Sequence, residues 1–381
     1  MTESTAGDRR LLIAGYFPRA VTLEGVGTFV GGLTDGLREL GWAVRLLLPC
    51  GGDTGLAGVE VLTYVPGGLG GPGRYRAALR AARRPGERVL LVENNPNAAL
   101  LGAPAVRGVP AAWYFYTPLQ TAALLPAMGW RLQAAVHALA KHRLWATFQS
   151  WRDRTCIVAT DYQAAQLRGC GAAAVHRLPA TTLSPAPAPP RASARAALGW
   201  DDRPTVGYLG HFSPAKGVEG LLEAFMDCPP ATTLALAYSG KGRLSRAGQE
   251  RLEALRRAGR LREHGVVVPA TFLAACDVVA LPYPSSSIHH LPMVLLEAYA
   301  AGTAVVTTAV GGLGEVHRDG QHGALVPPRD VRALHGALVR LLGDLPACHA
   351  QGQAARELFN RSLGRGVFCT DLSRILEGLS A

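Results

Sequence analysis

The sequence predicts an α/β protein with two parallel sheets. Short apolar runs alternate with longer amphipathic segments along its 381 residues, a pattern typical of parallel strands connected by helices. A chain of this length also exceeds what one hydrophobic core usually organises. The proline-rich stretch 183–190 cannot continue a helix or a central strand, because each proline removes a backbone donor and fixes φ. We therefore expect two Rossmann-like domains joined by a linker.

The apolar runs predict six strands in each half of the chain. In the first half the predicted strands are 11–14, 44–48, 59–64, 89–92, 112–115 and 156–159. In the second half they are 205–209, 234–238, 266–268, 278–281, 304–307 and 324–326. Helical periodicity lies between them, at 29–40, 119–151, 218–225, 246–257, 292–301 and 331–342, and again at 347–379. This gives an N-terminal domain over 1–180, a linker over 181–203, a C-terminal domain over 204–360 and a last helix over 361–381.

Composition excludes several classes of protein. The net charge of +11 favours anionic ligands, but the basic residues form no long run, which argues against nucleic acid. The seven cysteines are scattered and never spaced C-x-x-C, so neither a disulfide framework nor a zinc site is expected. The apolar run 11–14 is too short for a signal peptide, and no run approaches the ~20 residues of a spanning helix. We expect a cytoplasmic protein.

The segment from Gly210 to Gly217 has the chemistry of a phosphate site. It reads G-H-F-S-P-A-K-G, follows the predicted strand 205–209 directly, and opens a helix. Such a turn directs backbone N–H groups and the positive end of a helix at one point, here beside the ammonium of Lys216. A diphosphate suits this arrangement; a plain βα turn with a solvent-exposed lysine is the alternative.

Two further segments, each following a predicted strand, carry polar groups that could bind a ligand. Glu297 is the one acid on an otherwise apolar helix at 292–301, and a buried carboxylate is costly without a donor. A ribose diol would supply two donors, although neighbouring backbone amides could serve instead. Gly311 and Gly312 precede a short helix and offer free N–H groups, whereas Gly320 and Gly323 are expected only to form a turn.

In this order, the three segments resemble those of retaining glycosyltransferases of family 4. The family pattern G-R-L-x-x-x-K-G corresponds to 210–217, E-x(7)-E to 289–297, and V-G-G-x-x-E to 310–315. In the first half, 24–30 resembles G-G-V-G-x-F-V. The resemblance implies the GT-B fold, in which two Rossmann-like domains face each other across a cleft and a C-terminal helix crosses back to the N-terminal domain.

The resemblance also implies roles for individual residues. Lys216 and His211 would contact the donor diphosphate, and Glu297 would contact the ribose. These three residues are the predicted catalytic set. His289 would contact the transferred sugar. The remaining predicted donor-binding residues are Gly210, Met293, Val294, Gly311 and Gly312. Two positions depart from the family, because His211 stands where the family has arginine and His289 where it has glutamate. Histidine supplies fewer donors than arginine and no fixed charge.

The acceptor is expected on the N-terminal domain. The predicted acceptor or cleft residues are Gly25, Val26, Gly27, Thr28, Tyr116 and Thr117. The glycines at 25–31 do not make a nicotinamide site, because they do not follow the first strand directly and the second strand ends without an acid. The helix predicted within 130–151 is basic and rich in tryptophan, so peripheral membrane contact stays an alternative to packing on the sheet.

Together these observations predict a glycosyltransferase that moves a sugar from a nucleotide sugar, UDP-linked first and GDP or another nucleotide second, to an acceptor hydroxyl with retention. The acceptor would be a small natural product or a cell-envelope glycan precursor. No cofactor or metal is expected, since no D-x-D acid pair occurs and Lys216 supplies positive charge. A sugar-nucleotide epimerase or phosphorylase on the same fold, a non-catalytic nucleotide-sugar-binding subunit and a membrane-surface transferase are the alternatives.

Overall fold

The computed structural model describes two compact units. The described residues are 9–15, 26–50, 56–66, 71–93, 105–115, 154–169, 171–179, 187–238, 240, 242–285 and 291–379, with the backbone alone at 26–28, 72 and 93. Residues 9–179 and 363–379 belong to the first unit, and residues 187–362 form the second. Each unit contains one sheet whose strands are all parallel, as the alternation of apolar and amphipathic segments predicts.

In the first unit, the described strands form a seven-stranded sheet in the order β3-β2-β1-β4-β5-β6-β7. The strands are β1 Arg10–Ala14, β2 Ala43–Pro49, β3 Glu60–Tyr64, β4 Arg88–Glu93, β5 Ala111–Phe115, β6 Thr155–Val158 and β7 Ala174–Arg177. The described helices are α1 Val26–Glu39, α2 Gly71–Ala82 and α3 Asp161–Gly169. Apolar clusters on both faces of the sheet explain why its strands have continuous apolar sequences.

In the second unit, the described strands form a six-stranded sheet in the order β10-β9-β8-β11-β12-β13. The strands are β8 Thr205–Leu209, β9 Thr233–Ala237, β10 Leu261–His264, β11 Val278–Leu281, β12 Ala304–Thr308 and β13 Gly323–Val326. The helices are α4 Arg191–Leu198, α5 Val218–Met226, α6 Arg246–Arg257, α7 Pro269–Ala275, α8 Met293–Ala301, α9 Leu313–Val316, α10 Val331–Gly343 and α11 Leu345–Leu358.

One predicted strand is wrong. The strand predicted at 266–268 lies instead at Leu261–His264, where it pairs in parallel with β9 at the edge of the sheet. The valines that suggested a strand follow it as a loop, with Val266 81% and Val268 63% exposed. An edge strand with charged residues lacks the apolar run expected of a central strand, so the neighbouring valine run gave the stronger but misleading signal.

A helix lies within the range predicted as a linker. The segment Arg191–Leu198 forms α4 and packs against α7 of the second unit. Its attachment is the fully buried carboxylate of Asp277, which accepts hydrogen bonds from Arg195 Nη2 at 2.7 Å and from the Thr205 amide at 2.8 Å, and which also pairs with Arg191. The proline-rich piece therefore ends at a helix that belongs to the second unit.

The last helix of the chain packs on the first unit. After a π-helical turn at Phe359–Leu363, α12 runs from Arg365 to Glu377. Its buried face contacts α1 and joins the core of the first sheet through Phe368, which lies edge-on to Phe29 at 6.1 Å between ring centroids. Ser373 Oγ accepts a hydrogen bond from Trp42 Nε1 at 2.9 Å. This contact carries the chain back to the first unit.

Among the described residues, no helix combines the length and the apolar character needed to cross a membrane. The tryptophan-rich stretch at 130–151, for which membrane contact was the alternative, lies outside the described residues.

Candidate functional site

The strand order of the second sheet creates a crevice between β8 and β11. The chain leaves β8 toward β9 on one side of the sheet and continues from β11 toward β12 on the other. In open parallel sheets, ligands bind at the carboxyl ends of the two strands that flank such a reversal. The segments after these strands are residues 210–217, here named the β8 turn, and the segment that begins at Pro282.

The β8 turn is fixed by short hydrogen bonds. The Gly210 amide donates to Ala237 O at 3.0 Å, and Tyr208 Oη donates to His211 O at 2.7 Å. A single 3-10 turn, Pro214–Lys216, then leads into α5. The side chain of His211 is exposed, whereas Phe212 is buried. The turn thus holds Lys216 directly before the N-terminus of a helix, where backbone N–H groups have no partner within the helix.

Gly217 joins the β8 turn to the end of β11. Its φ of +72° lies in the left-handed region, and a Cβ built on it would overlap the carbonyl oxygen of Pro282. Only glycine allows both this conformation and this approach of two backbones. The two segments that flank the crevice are therefore in direct contact.

Lys216 presents a half-buried ammonium group beside the segment that follows β11. Its Nζ lies 5.4 Å from the ring centroid of Tyr283, which follows β11 and is almost fully buried. Burial lowers the pKa of Lys216 to about 8. Lys216 forms no ion pair with any described residue. A cation held on an aromatic ring without a carboxylate partner is suited to an anionic ligand.

Glu297, on the helix that follows β11, presents the opposite case. It lies on α8, which begins at Met293, and Met293 and Val294 are half-buried in its first turn. Burial raises the pKa of the Glu297 carboxyl to about 7. Within the described part of the chain, no donor hydrogen-bonds to this carboxylate, so two hydroxyl donors of a ligand would offset the cost of its burial.

A buried hydrogen-bonded chain holds α8 in place. Tyr299, two residues beyond Glu297, lies 2.7 Å from His317 Nδ1 through its Oη. His317 Nε2 donates to Ala324 O at 3.1 Å, so Nδ1 is the acceptor and the tyrosine hydroxyl the donor. Burial lowers the pKa of His317 to about 4, which keeps the imidazole neutral. Sequence reasoning missed this chain because its members lie on three separate elements.

The glycines after β12 have different surroundings. Gly311 has a φ of +53°, and within the described residues the amides of Gly311 and Gly312 donate to no backbone acceptor, which leaves them available to a ligand. By contrast, the Gly320 amide donates to Gly323 O at 2.9 Å, and a Cβ on Gly323 would overlap Val305 O. The second pair of glycines therefore forms the turn expected for it.

Several predicted site residues cannot be compared with the structure. His289, Gly25, Tyr116 and Thr117 lie outside the described residues. Positions 26–28, which are Val26, Gly27 and Thr28, form the backbone of the first turn of α1, while their side chains lie outside the description. Their roles at the donor sugar and the acceptor stay predictions.

The described residues contain no group of three His, Cys, Asp or Glu side chains that could hold a metal ion. The candidate ligand-binding groups on the segments that follow β8, β11 and β12 are one lysine, one glutamate and two backbone amides, which suit an anion and hydroxyl groups.

Solved structures define the class of this fold. Sucrose-phosphate synthase from Thermosynechococcus elongatus matches with a TM-score of 0.75 at 20% identity, covering 97% of this chain and 98% of that one. Anabaena HepE in complex with UDP-glucose matches with a TM-score of 0.72 at 18% identity, covering 97% and 100%. At such identities the likeness establishes the fold, which is the predicted GT-B class of two Rossmann-like α/β domains.

The family of the second unit follows from its sequence. Residues 203–344 match the model of the family Glycosyl transferases group 1, and the chain carries a domain of that family. D-inositol 3-phosphate glycosyltransferase of Mycolicibacterium vanbaalenii is 36% identical over 210 residues, which are 50% of this chain and 46% of the relative. The match thus spans less than half of that relative's length. The predicted resemblance to glycosyltransferases is therefore confirmed by the domain family and by this relative.

Proposed function

We propose that this protein is a retaining glycosyltransferase of family 4 that transfers a sugar from a nucleotide sugar to an acceptor hydroxyl without a metal ion. The observation that carries the proposal is a pair of half-buried ionisable groups of opposite charge, one in the β8 turn and one on the helix that follows β11. Lys216 and Glu297 each have a pKa displaced by burial, and neither has a charged partner among the described residues. A nucleoside diphosphate supplies an anion for the first and a ribose diol for the second.

The chemistry needs charge stabilisation more than a nucleophile. The bond between the anomeric carbon and the phosphate oxygen breaks, a bond from that carbon to the acceptor oxygen forms on the same face, and the acceptor proton passes to the departing phosphate. Negative charge grows on the diphosphate during this step. Lys216 and the amides at the start of α5 would stabilise that charge, and such preorganised electrostatics is usually the largest catalytic contribution.

UDP is the first candidate for the nucleotide, with GDP and other nucleotides next. It is the nucleotide in the HepE complex, whose fold this chain shares. For the acceptor we propose a small natural product or a cell-envelope glycan precursor. A small acceptor is in keeping with the names of D-inositol 3-phosphate glycosyltransferase and sucrose-phosphate synthase, each of which includes a small phosphorylated molecule. No further cofactor is proposed.

The first test is nucleotide binding by titration calorimetry with UDP, GDP and ADP. Lys216→Ala is expected to weaken binding of the preferred nucleotide by roughly 1.5–3 kcal/mol, the worth of a charged hydrogen bond, and Glu297→Ala by a similar amount. Arg246→Ala and Glu250→Ala are matched controls, since these residues are exposed and pair with each other on α6. Equal affinity in all five proteins would refute the site.

The second test is transfer itself. Protein treated with EDTA and desalted is expected to keep its activity, and NMR coupling constants of the product are expected to show the anomeric configuration of the donor. Recovery only after Mg²⁺ or Mn²⁺ addition would contradict the metal-free mechanism. Inversion would exclude family 4, and tight nucleotide binding without turnover or donor hydrolysis would favour a non-catalytic subunit.

A further inference from the structure

A cavity of about 570 Å³ opens beside the β8 turn, at the carboxyl edge of the second sheet. Its walls come from the β8 turn, from α5 and α10, and from the segments at the ends of β9, β11, β12 and β13. Its lining includes Pro214 and Gly217 from the β8 turn and Pro282 and Pro284 from the segment after β11. Arg243 lines it from the segment after β9. The cavity therefore shares its wall with the turn that carries Lys216.

Arg243 directly follows a residue whose backbone is held to the β8 turn. Gly242 forms an isolated parallel bridge with Phe212, and a Cβ on Gly242, whose φ is +90°, would overlap the Phe212 carbonyl oxygen. The ring of Phe212 stacks on Tyr238 with centroids 4.1 Å apart. These two contacts, both just before Arg243 in the chain, hold the backbone beside it against the β8 turn, while its side chain is exposed.

The acids on the cavity wall are already hydrogen-bonded elsewhere. Glu219 accepts from the Ser245 amide at 2.6 Å and from Ser245 Oγ at 2.9 Å, and Asp330 accepts from the Ala333 amide at 2.9 Å. Arg243 forms no ion pair or hydrogen bond with any described residue, although it lines the same cavity as Glu219. Its guanidinium group is therefore available to a ligand.

The β8 turn itself supplies a single fixed cation. Its second ionisable side chain is His211, and histidine carries no permanent charge. A diphosphate bears at least two negative charges, and the planar guanidinium of arginine binds phosphate oxygens in bidentate fashion. A cation from a neighbouring segment would complete the charge balance.

We propose that Arg243 binds the diphosphate of the donor together with Lys216. In this role it would replace the arginine that the family has at the position of His211 in the β8 turn. This assignment rests on the proposed function. Arg243 is then a binding residue supplied by the segment after β9. Its contribution to the binding free energy should depend on the phosphate groups of the ligand and not on the base or ribose.

The test compares UDP, UMP and uridine binding in wild type, Arg243→Ala and Arg243→Lys by titration calorimetry. Arg243→Ala is expected to weaken UDP binding at least about 10-fold and to leave uridine binding unchanged, because uridine lacks phosphate. Arg243→Lys is expected to lie between, since lysine keeps the charge but loses the bidentate geometry. Arg246→Ala, 94% exposed and paired with Glu250, is the control and should bind like wild type.

The outcomes separate the two proposals. If wild type binds UDP and Arg243→Ala binds it equally well, the assignment of Arg243 is wrong while the proposed function stands. If Arg243→Ala weakens UDP and uridine to the same extent, the residue acts on the fold and the assignment is again wrong. If wild type binds no nucleoside diphosphate, the proposed function fails and the assignment fails with it.

Discussion

Lys216 and Glu297 have pKa values displaced toward each other by the same physical cause. Burial disfavours the charged form of each group, so the pKa of the lysine falls to about 8 and that of the glutamate rises to about 7. A ligand that binds both groups reverses both shifts. Phosphate stabilises the ammonium and raises the pKa of Lys216, whereas ribose hydroxyls stabilise the carboxylate and lower the pKa of Glu297.

This coupling predicts proton exchange that changes sign with pH. Near pH 8 about half of the free Lys216 is neutral, so binding of a nucleoside diphosphate should take up about half a proton. Near pH 6.5 Lys216 is already charged and about three quarters of Glu297 is protonated, so binding should release up to about that fraction of a proton. The measurement is titration calorimetry of UDP at each pH in buffers of different ionisation enthalpy.

The variants identify the source of each proton. Lys216→Ala should abolish the uptake near pH 8 and keep the release near pH 6.5, and Glu297→Gln should do the reverse. The UDP phosphate itself titrates near pH 6, so uridine, which lacks it, is the control ligand for the release. Uptake at pH 8 that persists in Lys216→Ala would contradict the assignment.

At this scale the sequence indicates some site residues and not others. Lys216 lies in the segment that follows one predicted strand, and Glu297 lies on the helix predicted after another. Both segments are recognisable in the sequence. Tyr283 and Arg243 carry no such signal. Tyr283 and the segment of Arg243 lie beside the β8 turn because β11 and β9 are the neighbours of β8, and strand order cannot be read from apolar runs.

At the scale of elements, the contact of the β8 turn with the end of β11 makes a sharp prediction. Gly217→Ala adds a Cβ that overlaps Pro282 O and forces an L-residue into a φ of +72°. The left-handed conformation alone costs about 1–2 kcal/mol, and relief of the overlap must separate the two segments. We expect a loss of stability by at least about 2 kcal/mol in denaturant unfolding and a loss of UDP affinity, because Lys216 moves with the turn.

Gly259→Ala is the matched control for Gly217→Ala. Gly259 has a similar φ of +63°, but a Cβ built there meets no atom within 4 Å. It should therefore show only the conformational cost, about 1–2 kcal/mol, with unchanged UDP affinity. Equal effects of the two substitutions on affinity would mean that the contact with Pro282 does not position the turn.

The elements also show what limits prediction of the fold. Central strands such as β8 and β11 are buried on both faces, so their sequences are continuous apolar runs with bounds close to those predicted. The edge strands β7 and β10 contain exposed polar residues, so the apolar pattern predicts no strand at β7 and places β10 five residues too late. The valines at 266–268 have the composition of a strand, yet Val266 and Val268 are solvent-exposed, because composition does not report burial.

At the scale of the whole molecule, the chain ends on the unit where it began. The helix α12 supplies Phe368, Leu372 and Leu376 to the core of the first unit, and each is at most 2% exposed. Phe368 also lies edge-on to Tyr114, with ring centroids 5.8 Å apart. The first unit is therefore complete only after the chain has passed through the second, although the predicted nucleotide-binding residues all belong to the second.

This division predicts that stability and nucleotide binding can be changed separately. Phe368→Ala removes a fully buried ring from the first unit and should destabilise it by about 3–5 kcal/mol, lowering the midpoint of thermal unfolding. The UDP dissociation constant, measured at a temperature where the variant is folded, should stay within about 2-fold of wild type. Phe225→Ala removes an equally buried ring from α5, the helix that follows the β8 turn, and should weaken UDP binding as well. If instead Phe368→Ala weakens UDP binding as much as Phe225→Ala, then the nucleotide site depends on the first unit, and the assignment of that site to the second unit alone is wrong.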